Sequence, residues 1–153
     1  FPYTTLFRSS LGSTLLDTQA ASWMANYVVK GFGLDGLPSL AIFAILAAFL
    51  IIIHLGFASA TALTAALLPI LISLLSSLPP ELGVNPVGMT ILLAFSVSFG
   101  FILPINAPQN MVCMGTDTFT PRQFTRVGLY LTVIGYLLLL LFAATWWKIL
   151  GLM

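Results

Sequence analysis

The sequence predicts an all-α protein that crosses a membrane several times. Hydrophobic residues make up 59% of the 153-residue chain and charged residues only 6%, whereas about a quarter of the residues in a soluble domain are charged. The apolar residues occur in runs long enough to cross a bilayer core. Proline-, glycine- and hydroxyl-containing segments separate these runs. Such a chain cannot cover a water-facing surface, so lipid is its main solvent.

Charge and motif content exclude several functional classes. The net charge is +1, and Cys113 is the one cysteine, so neither a nucleic-acid-binding surface nor an intrachain disulfide is expected. The sequence contains no glycine-rich phosphate motif and no Cys/His cluster with metal spacing. A hydrolytic triad would need Ser59, His54 and Asp35 to meet. Asp35 lies beyond the far end of an apolar helix, so we do not expect such a triad. We therefore expect no enzymatic activity and no nucleic-acid partner.

The N-terminal part is divided into two segments. Residues 1–9 read FPYTTLFRS, which a common sequencing-library adapter would encode, so we interpret them as a cloning or assembly artefact. On that interpretation the beginning of the natural chain is missing. Residues 10–36 carry apolar residues on a roughly helical period, interrupted by polar ones. This pattern predicts an interfacial or partial helix that ends in a glycine-rich break.

Residues 37–78 contain two apolar runs joined by the short segment 56–61. The first run is about 18 residues, or about 27 Å as a helix, which is close to a bilayer core. The joining segment carries no Lys, Arg, Asp or Glu. Two full spans with a tight turn would explain this pattern, and so would a re-entrant hairpin whose tip lies inside the membrane. The spacing alone leaves both open, although non-helical backbone at that depth must be buried or line a cavity.

A second interruption is predicted within the apolar residues 87–116. This segment is longer than one span needs, and two prolines break it at 104–110. Each proline removes a backbone donor and clashes with the preceding turn. Asn106 and Asn110 add amide groups to an apolar setting, where polar groups usually face a bundle interior or a site.

The last transmembrane helix is predicted over residues 122–150. Thr120 is its expected N-cap, with a proline in the first turn. Gly128 and Gly135 are expected to allow close contact with another helix. An interfacial anchor closes the helix with Trp146, Trp147 and Lys148.

The orientation in the membrane follows from the cations. Arg122 and Arg126 flank the start of the last helix. Positive residues favour the cytoplasmic side, so we expect the C-terminus outside.

The two interruptions predict a binding site at membrane depth. Discontinuous helices in carriers offer N-terminal N–H groups to an anion, while unwound carbonyls coordinate a cation. Helices that begin near Thr61 and Asn110 would supply such N-termini. An anion could then be held without an intramembrane Arg or Lys.

These segments resemble the divalent anion:sodium symporters, the sodium:dicarboxylate/sulfate symporter family. Residues 58–61, followed by an Ala/Leu-rich arm with Leu68 and Pro69, resemble its second Ser-Asn-Thr hairpin motif. Residues 101–110 resemble its proline-rich break, and the segment from Gly128 to the paired tryptophans resembles its final helix. Ala60 stands where the motif has asparagine.

The resemblance covers nearly all of residues 11–153, about the C-terminal third of such a carrier. It implies a C-terminal inverted-repeat half with a re-entrant helical hairpin, a broken transmembrane helix and a final transmembrane helix. The expected function is secondary active transport of small di- or tricarboxylate anions by alternating access, with Na⁺ as coupling ion and no cofactor. A multi-pass homodimer in a bacterial inner membrane is expected. There are two alternatives. One is an anion exchanger or sulfate carrier of the same fold, and the other is a non-transport membrane subunit.

Site residues carried over from the resemblance fall into two sets. The substrate-binding set is Ser59, Thr61, Pro108, Asn110 and His54. The sodium-binding set is Ala58, Ser59, Ala60 and Asn106. Ala60 removes a side-chain amide expected at the tip. Purely structural roles are the alternatives: helix capping for Ser59 and Thr61, and helix packing for His54, Asn106 and Asn110.

Overall fold

The computed structural model describes Trp23, Tyr27, residues 30–31, 33–56 and 59–152. The described part contains helices and no strand, which confirms the all-α prediction. Its α-helices are α1 (Ser39–His54), α2 (Ala60–Ser76), α3 (Pro86–Ser96), α4 (Pro108–Met114) and α5 (Pro121–Phe142). Short 3₁₀ turns lie at Leu34–Gly36, Pro80–Leu82 and Pro104–Asn106, and a π-helical turn, Ala143–Trp147, continues α5.

The N-terminal predictions fall largely outside the described residues. Residues 1–9 lie outside them, as does most of the helix predicted over 10–36. Trp23 and Tyr27 are helical and exposed, and their rings stack with centroids 6.0 Å apart. This agrees with an interfacial helix, which stays a prediction.

The core lies where α3 packs against both α1 and α2. The buried side chains are mostly leucine and branched residues, with one phenylalanine: Phe43, Leu46 and Leu50 of α1, Leu63, Leu71 and Leu74 of α2, and Met89 and Leu93 of α3. Because lipid tails are as apolar as these side chains, helix association here depends on close packing more than on exclusion of water.

The first two helices are short for a membrane crossing. α1 has 16 residues and α2 has 17, or about 24 and 26 Å at 1.5 Å per residue. A hydrocarbon core is about 30 Å thick. These lengths favour a hairpin whose arms stop inside the membrane, and the depth of its tip stays a prediction.

The helix break is longer than the sequence pattern indicated. α3 ends at Ser96, and α4 begins only at Pro108, with one 3₁₀ turn between them. The prediction placed the break at 104–110, whereas the irregular backbone runs from Val97 to Ala107 and residues 108–110 are already helical. The ring of a proline clashes with the carbonyl four residues earlier. Pro104 therefore prevents regular helix from Gly100 onward, in addition to disturbing its own turn.

The last helix agrees with its predicted cap and length. The Thr120 hydroxyl accepts a hydrogen bond from the Gln123 N–H at 3.3 Å, and the Gln123 side chain accepts one from the Thr120 N–H at 2.8 Å. With its π-helical turn the helix spans Pro121–Trp147, 27 residues. Among the described helices, it is the one that is long and apolar enough to cross a membrane.

The predicted glycine contacts of α5 are made with the broken segment. A side chain at Gly128 would overlap the backbone carbonyl of Phe101, and one at Gly135 would lie 2.5 Å from the Phe99 ring. The Tyr136 hydroxyl donates a hydrogen bond to the Ala44 carbonyl at 2.9 Å. α5 therefore packs against both the break and α1.

Candidate functional site

The end of α1 meets the broken segment at His54 and Asn106, each only 1% exposed. The Asn106 Nδ2 group donates a hydrogen bond to the His54 carbonyl at 2.8 Å. The Asn106 Oδ1 atom accepts one from the Leu103 N–H at 3.1 Å. One amide thus connects the first arm of the hairpin to the 3₁₀ turn of the break.

Asn110 satisfies carbonyl groups that the break removes from helical hydrogen bonding. Its Nδ2 group donates to the Gly100 carbonyl at 2.7 Å and to the Leu103 carbonyl at 3.2 Å. The side chain is 8% exposed. Buried carbonyls require partners, so this amide stabilises the irregular backbone from within α4.

The imidazole of His54 lies against Gly100. A side chain at Gly100 would lie 3.1 Å from both Cε1 and Nε2 of His54. Neither ring nitrogen of His54 has a hydrogen-bond partner in the structure, and the same holds for the buried hydroxyl of Ser96. A buried polar group without a protein partner is uncommon and is often found at functional sites.

The hairpin tip is described from Ser59 onward. The Ser59 Oγ atom accepts a hydrogen bond from the Ala62 N–H at 3.3 Å, so this residue is the N-cap of α2. The Ala60 carbonyl accepts a hydrogen bond from the Thr64 hydroxyl at 2.8 Å. Thr61 is exposed on the first turn. Ala58 lies outside the described residues.

Three of the predicted site residues form one connected group. Through Gly100 and Leu103, the structure connects His54, Asn106 and Asn110. Pro108 is exposed at the first position of α4. Ser59 and Thr61 lie on the α2 side of the tip, five and seven residues after His54.

Two apolar cavities lie beside α5 in the described structure. One, of about 410 Å³, is lined by Asn110, Phe101, Phe124 and other largely apolar side chains. The other, of about 330 Å³, lies between α1 and α5 beside Tyr136. No charged side chain lines either cavity. The first cavity borders the candidate site, because Phe101 and Asn110 form part of its lining.

Comparison with known proteins places the chain in a family. Residues 4–153 match the family described as the sodium:sulfate symporter transmembrane region. The chain belongs to this family. The resemblance to sodium-linked anion symporters is thereby confirmed. The match begins inside residues 1–9, whose origin as an adapter artefact stays a prediction.

Relatives of this family member come from several organisms. A membrane protein of Cupriavidus necator is 64% identical over 142 residues, which cover 93% of this chain and 27% of the relative. An uncharacterized transporter of Haemophilus influenzae is 30% identical, covering 82% of this chain and 26% of the relative. Na(+)/dicarboxylate cotransporter 3 of Rattus norvegicus is 31% identical, covering 67% and 17%. The chain spans only about a quarter or less of each relative.

Sequence reasoning missed the residues that shape the break of this family member. Gly100 provides the space for the His54 ring, and Leu103 contributes both a donor and an acceptor to the amide network. Tyr136, which connects α5 to α1, was also missed. A glycine four residues before Pro104 was the available signal, because that is the position at which the proline ring interferes with a helix.

Proposed function

We propose that the carrier containing this chain performs secondary active transport of small di- or tricarboxylate anions, coupled to Na⁺, by alternating access. The observation that supports this most directly is the meeting of two helix interruptions at His54, Asn106 and Asn110. No Lys or Arg occurs between residues 38 and 121. An anion there would be held by polar backbone and neutral side chains, as in other carriers with discontinuous helices.

The anion would bind at the start of α2. This helix has 17 residues, so its first turn presents N–H groups and a positive partial charge. Ser59 and Thr61 lie on that turn, and the buried, unpartnered imidazole of His54 lies just before the tip. We propose that these three side chains contact the substrate, with Pro108 and Asn110 on the opposite wall.

Sodium would bind to oxygen atoms of the two interruptions. Hard cations such as Na⁺ prefer carbonyl and hydroxyl oxygens. Ala58, Ser59 and Ala60 at the tip and Asn106 in the break are the proposed ligand residues. Because the Asn106 amide bonds to His54 and Leu103, we propose that Asn106 contributes its backbone carbonyl.

The proposed moving unit consists of the hairpin and the broken segment. The Asn106–His54 hydrogen bond joins them, and α3 packs against both arms. Such a unit would move as one body against the remaining scaffold. A homodimer in a bacterial inner membrane, with the C-terminus of each protomer outside, is part of the proposal.

The proposal is tested by transport with the full-length carrier in liposomes. An inward Na⁺ gradient should drive uptake of labelled succinate, and replacing Na⁺ by K⁺ should abolish the uptake. The rat relative, named as a Na(+)/dicarboxylate cotransporter, makes succinate a suitable first probe. No uptake of succinate, citrate or sulfate under any gradient would overturn the proposal.

An anion exchanger or sulfate carrier of the same fold is the second candidate. The observation that favours it is Ala60, a methyl side chain at a tip position where the family motif has an amide. A weaker cation site would leave exchange as the operating mode. Uptake that ignores Na⁺ but requires an internal counter-anion would select this candidate.

A further inference from the structure

A cavity with two cations lies at the start of α5. It has a volume of about 480 Å³ and is lined by Pro121, Arg122, Thr125, Arg126 and Leu129. Both arginines are exposed, and no acidic side chain of the described residues lines the cavity. Guanidinium groups match the geometry of phosphate oxygens and bind them with two N–H donors each. The cavity therefore has the chemistry of a phosphate site.

The two arginines are placed unfavourably for α5 by itself. They are four residues apart, so their side chains share one helix face, with Cβ atoms about 5–6 Å apart, where like charges repel each other. Arg122 also lies in the first turn, at the positive end of the helix dipole. Neither arginine forms an ion pair with a carboxylate in the part of the chain that the structure describes. An anion bound between them would relieve both effects.

An apolar groove continues from this cavity along the same face of α5. Leu129 lines both the cavity and the groove. The groove is the space of about 330 Å³ between α1 and α5, and on the α5 side Val133 and Leu137 continue its lining. These three residues are exposed and four apart, so the groove extends about 12 Å along the helix. It leads from the two cations towards the middle of α5.

The groove is suited to a hydrocarbon chain and offers little to a polar ligand. Its two polar side chains already have partners, because the Thr132 hydroxyl donates to the Gly128 carbonyl at 2.8 Å and the Tyr136 hydroxyl donates to the Ala44 carbonyl at 2.9 Å. The other side chains of the lining are apolar, and Ile52 is one of them. A ligand in the groove would gain apolar contact area and no hydrogen bond from these side chains.

We propose that this face of α5 binds an anionic phospholipid. The phosphate lies between Arg122 and Arg126, with the Thr125 hydroxyl beside it, and one acyl chain follows the groove from Leu129 to Leu137. The cation pair selects the headgroup, since a zwitterionic lipid brings a positive group that the arginines repel. Anionic lipids are concentrated in the cytoplasmic leaflet, where basic pockets between helices bind their headgroups. The positive residues favour that side for the start of α5.

This inference goes beyond the proposed function, because lipid binding here requires neither a transported anion nor Na⁺. The test is native mass spectrometry of the purified full-length carrier in detergent, with equal concentrations of dioleoyl phosphatidylglycerol or dioleoyl phosphatidylcholine and no succinate. The wild type should retain phosphatidylglycerol in preference to phosphatidylcholine. Combining Arg122→Gln with Arg126→Gln should weaken phosphatidylglycerol binding about tenfold or more, because charged hydrogen bonds are lost. Lys148→Gln is the control, since it removes a cation at the other end of the helix and should keep the preference.

A second pair of variants tests the acyl-chain groove. Val133→Trp places a large side chain in the groove and should weaken phosphatidylglycerol binding. Ile134→Trp changes an equally exposed neighbour outside that lining and should leave binding unchanged. Glycerol 3-phosphate in large excess carries the anionic group without acyl chains, and it should not displace the lipid.

The outcomes that overturn the inference are specific. Equal retention of the two lipids by the wild type overturns it, and so does an unchanged preference in the double arginine variant. Normal binding by Val133→Trp, or displacement by glycerol 3-phosphate, would show an anion site without an acyl chain and overturns the lipid assignment. If Val133→Trp does not fold, Ile52→Trp narrows the same groove from α1 and replaces it. A carrier that binds the lipid but transports no anion would overturn the proposed function alone.

Discussion

The Asn106 side chain donates a 2.8 Å hydrogen bond to the carbonyl of His54, a residue 52 positions earlier in the chain. The same amide accepts a hydrogen bond from the Leu103 N–H. A helix end and a 3₁₀ turn are thereby joined by one buried side chain. The stability of the broken segment and the position of the hairpin end should therefore depend on each other.

Asn106→Leu should destabilise the carrier strongly. It leaves the His54 carbonyl and the Leu103 N–H without their side-chain partner, and a buried unpaired group costs about 1–3 kcal/mol. We expect a clear fall in the thermal unfolding midpoint of the purified full-length protein. Tyr136→Phe is the matched control, because it removes one half-buried hydrogen bond to a carbonyl, worth about 0.5–1.5 kcal/mol. Equal midpoints for the two variants would contradict the central position of Asn106.

Asn110→Asp should be more harmful than Asn110→Leu. The Asn110 amide donates to the carbonyls of Gly100 and Leu103. Leucine leaves both acceptors without that donor, whereas a carboxylate also places negative charge against two carbonyl oxygens in a buried setting. Thermal unfolding of the two purified variants measures the difference. An aspartate variant as stable as the leucine variant would show that Asn110 is not aimed at these carbonyls.

Gly128→Ala should prevent close packing of α5 on the break. The added methyl group would overlap the Phe101 backbone carbonyl, which cannot rotate away as a side chain would. Overpacking usually costs about 1–3 kcal/mol of stability. Because the neighbour is backbone, the loss of stability in this variant should reach or exceed the upper end of that range. The yield of monodisperse protein in size-exclusion chromatography reports the effect. Gly115→Ala is the control, since its methyl group would meet only ordinary contacts, the nearest at 3.4 Å; a normal yield for Gly128→Ala would refute the packing.

Ser59 variants should separate helix capping from anion binding. Ser59→Ala removes the hydrogen bond accepted from the Ala62 N–H and should cost about 1 kcal/mol of stability. Ser59→Asp can still cap the helix but places a negative charge where we propose the anion binds. We expect Ser59→Asp to keep near-normal thermal stability and to lose succinate uptake. A fully active Ser59→Asp carrier would leave Ser59 with a capping role only.

The helix ends and the existence of two interruptions follow from local chemistry that is readable in the sequence. Thr120 followed by Pro121 marks the start of α5, and the structure confirms the cap. The two prolines near residue 106 indicated a break, and a break is present. The break starts at Val97, which was missed because the prediction centred the break on the prolines themselves. The clash of Pro104 with the carbonyl four residues earlier accounts for the backbone from Gly100 onward.

The partners of the polar side chains could not be read from the sequence in the same way. The sequence showed that Asn106 and Asn110 are polar groups in an apolar setting. It did not distinguish whether these side chains bind a ligand or hold helices together. Their hydrogen bonds go to backbone groups of His54, Gly100 and Leu103. Spacing along the chain does not reveal a pair separated by 52 residues.

The sequence by itself determined that this chain is helical, lies in a membrane and has two helix interruptions. Composition, the length of the hydrophobic runs and the prolines determine these features, because each of them acts locally. The tertiary structure alone decided that the two interruptions meet, that Gly100 makes room for the His54 ring, and that Gly128 brings α5 onto the backbone of Phe101. Those relationships depend on how separate helices pack. Packing is set by shape and hydrogen-bond complementarity between segments far apart in the chain.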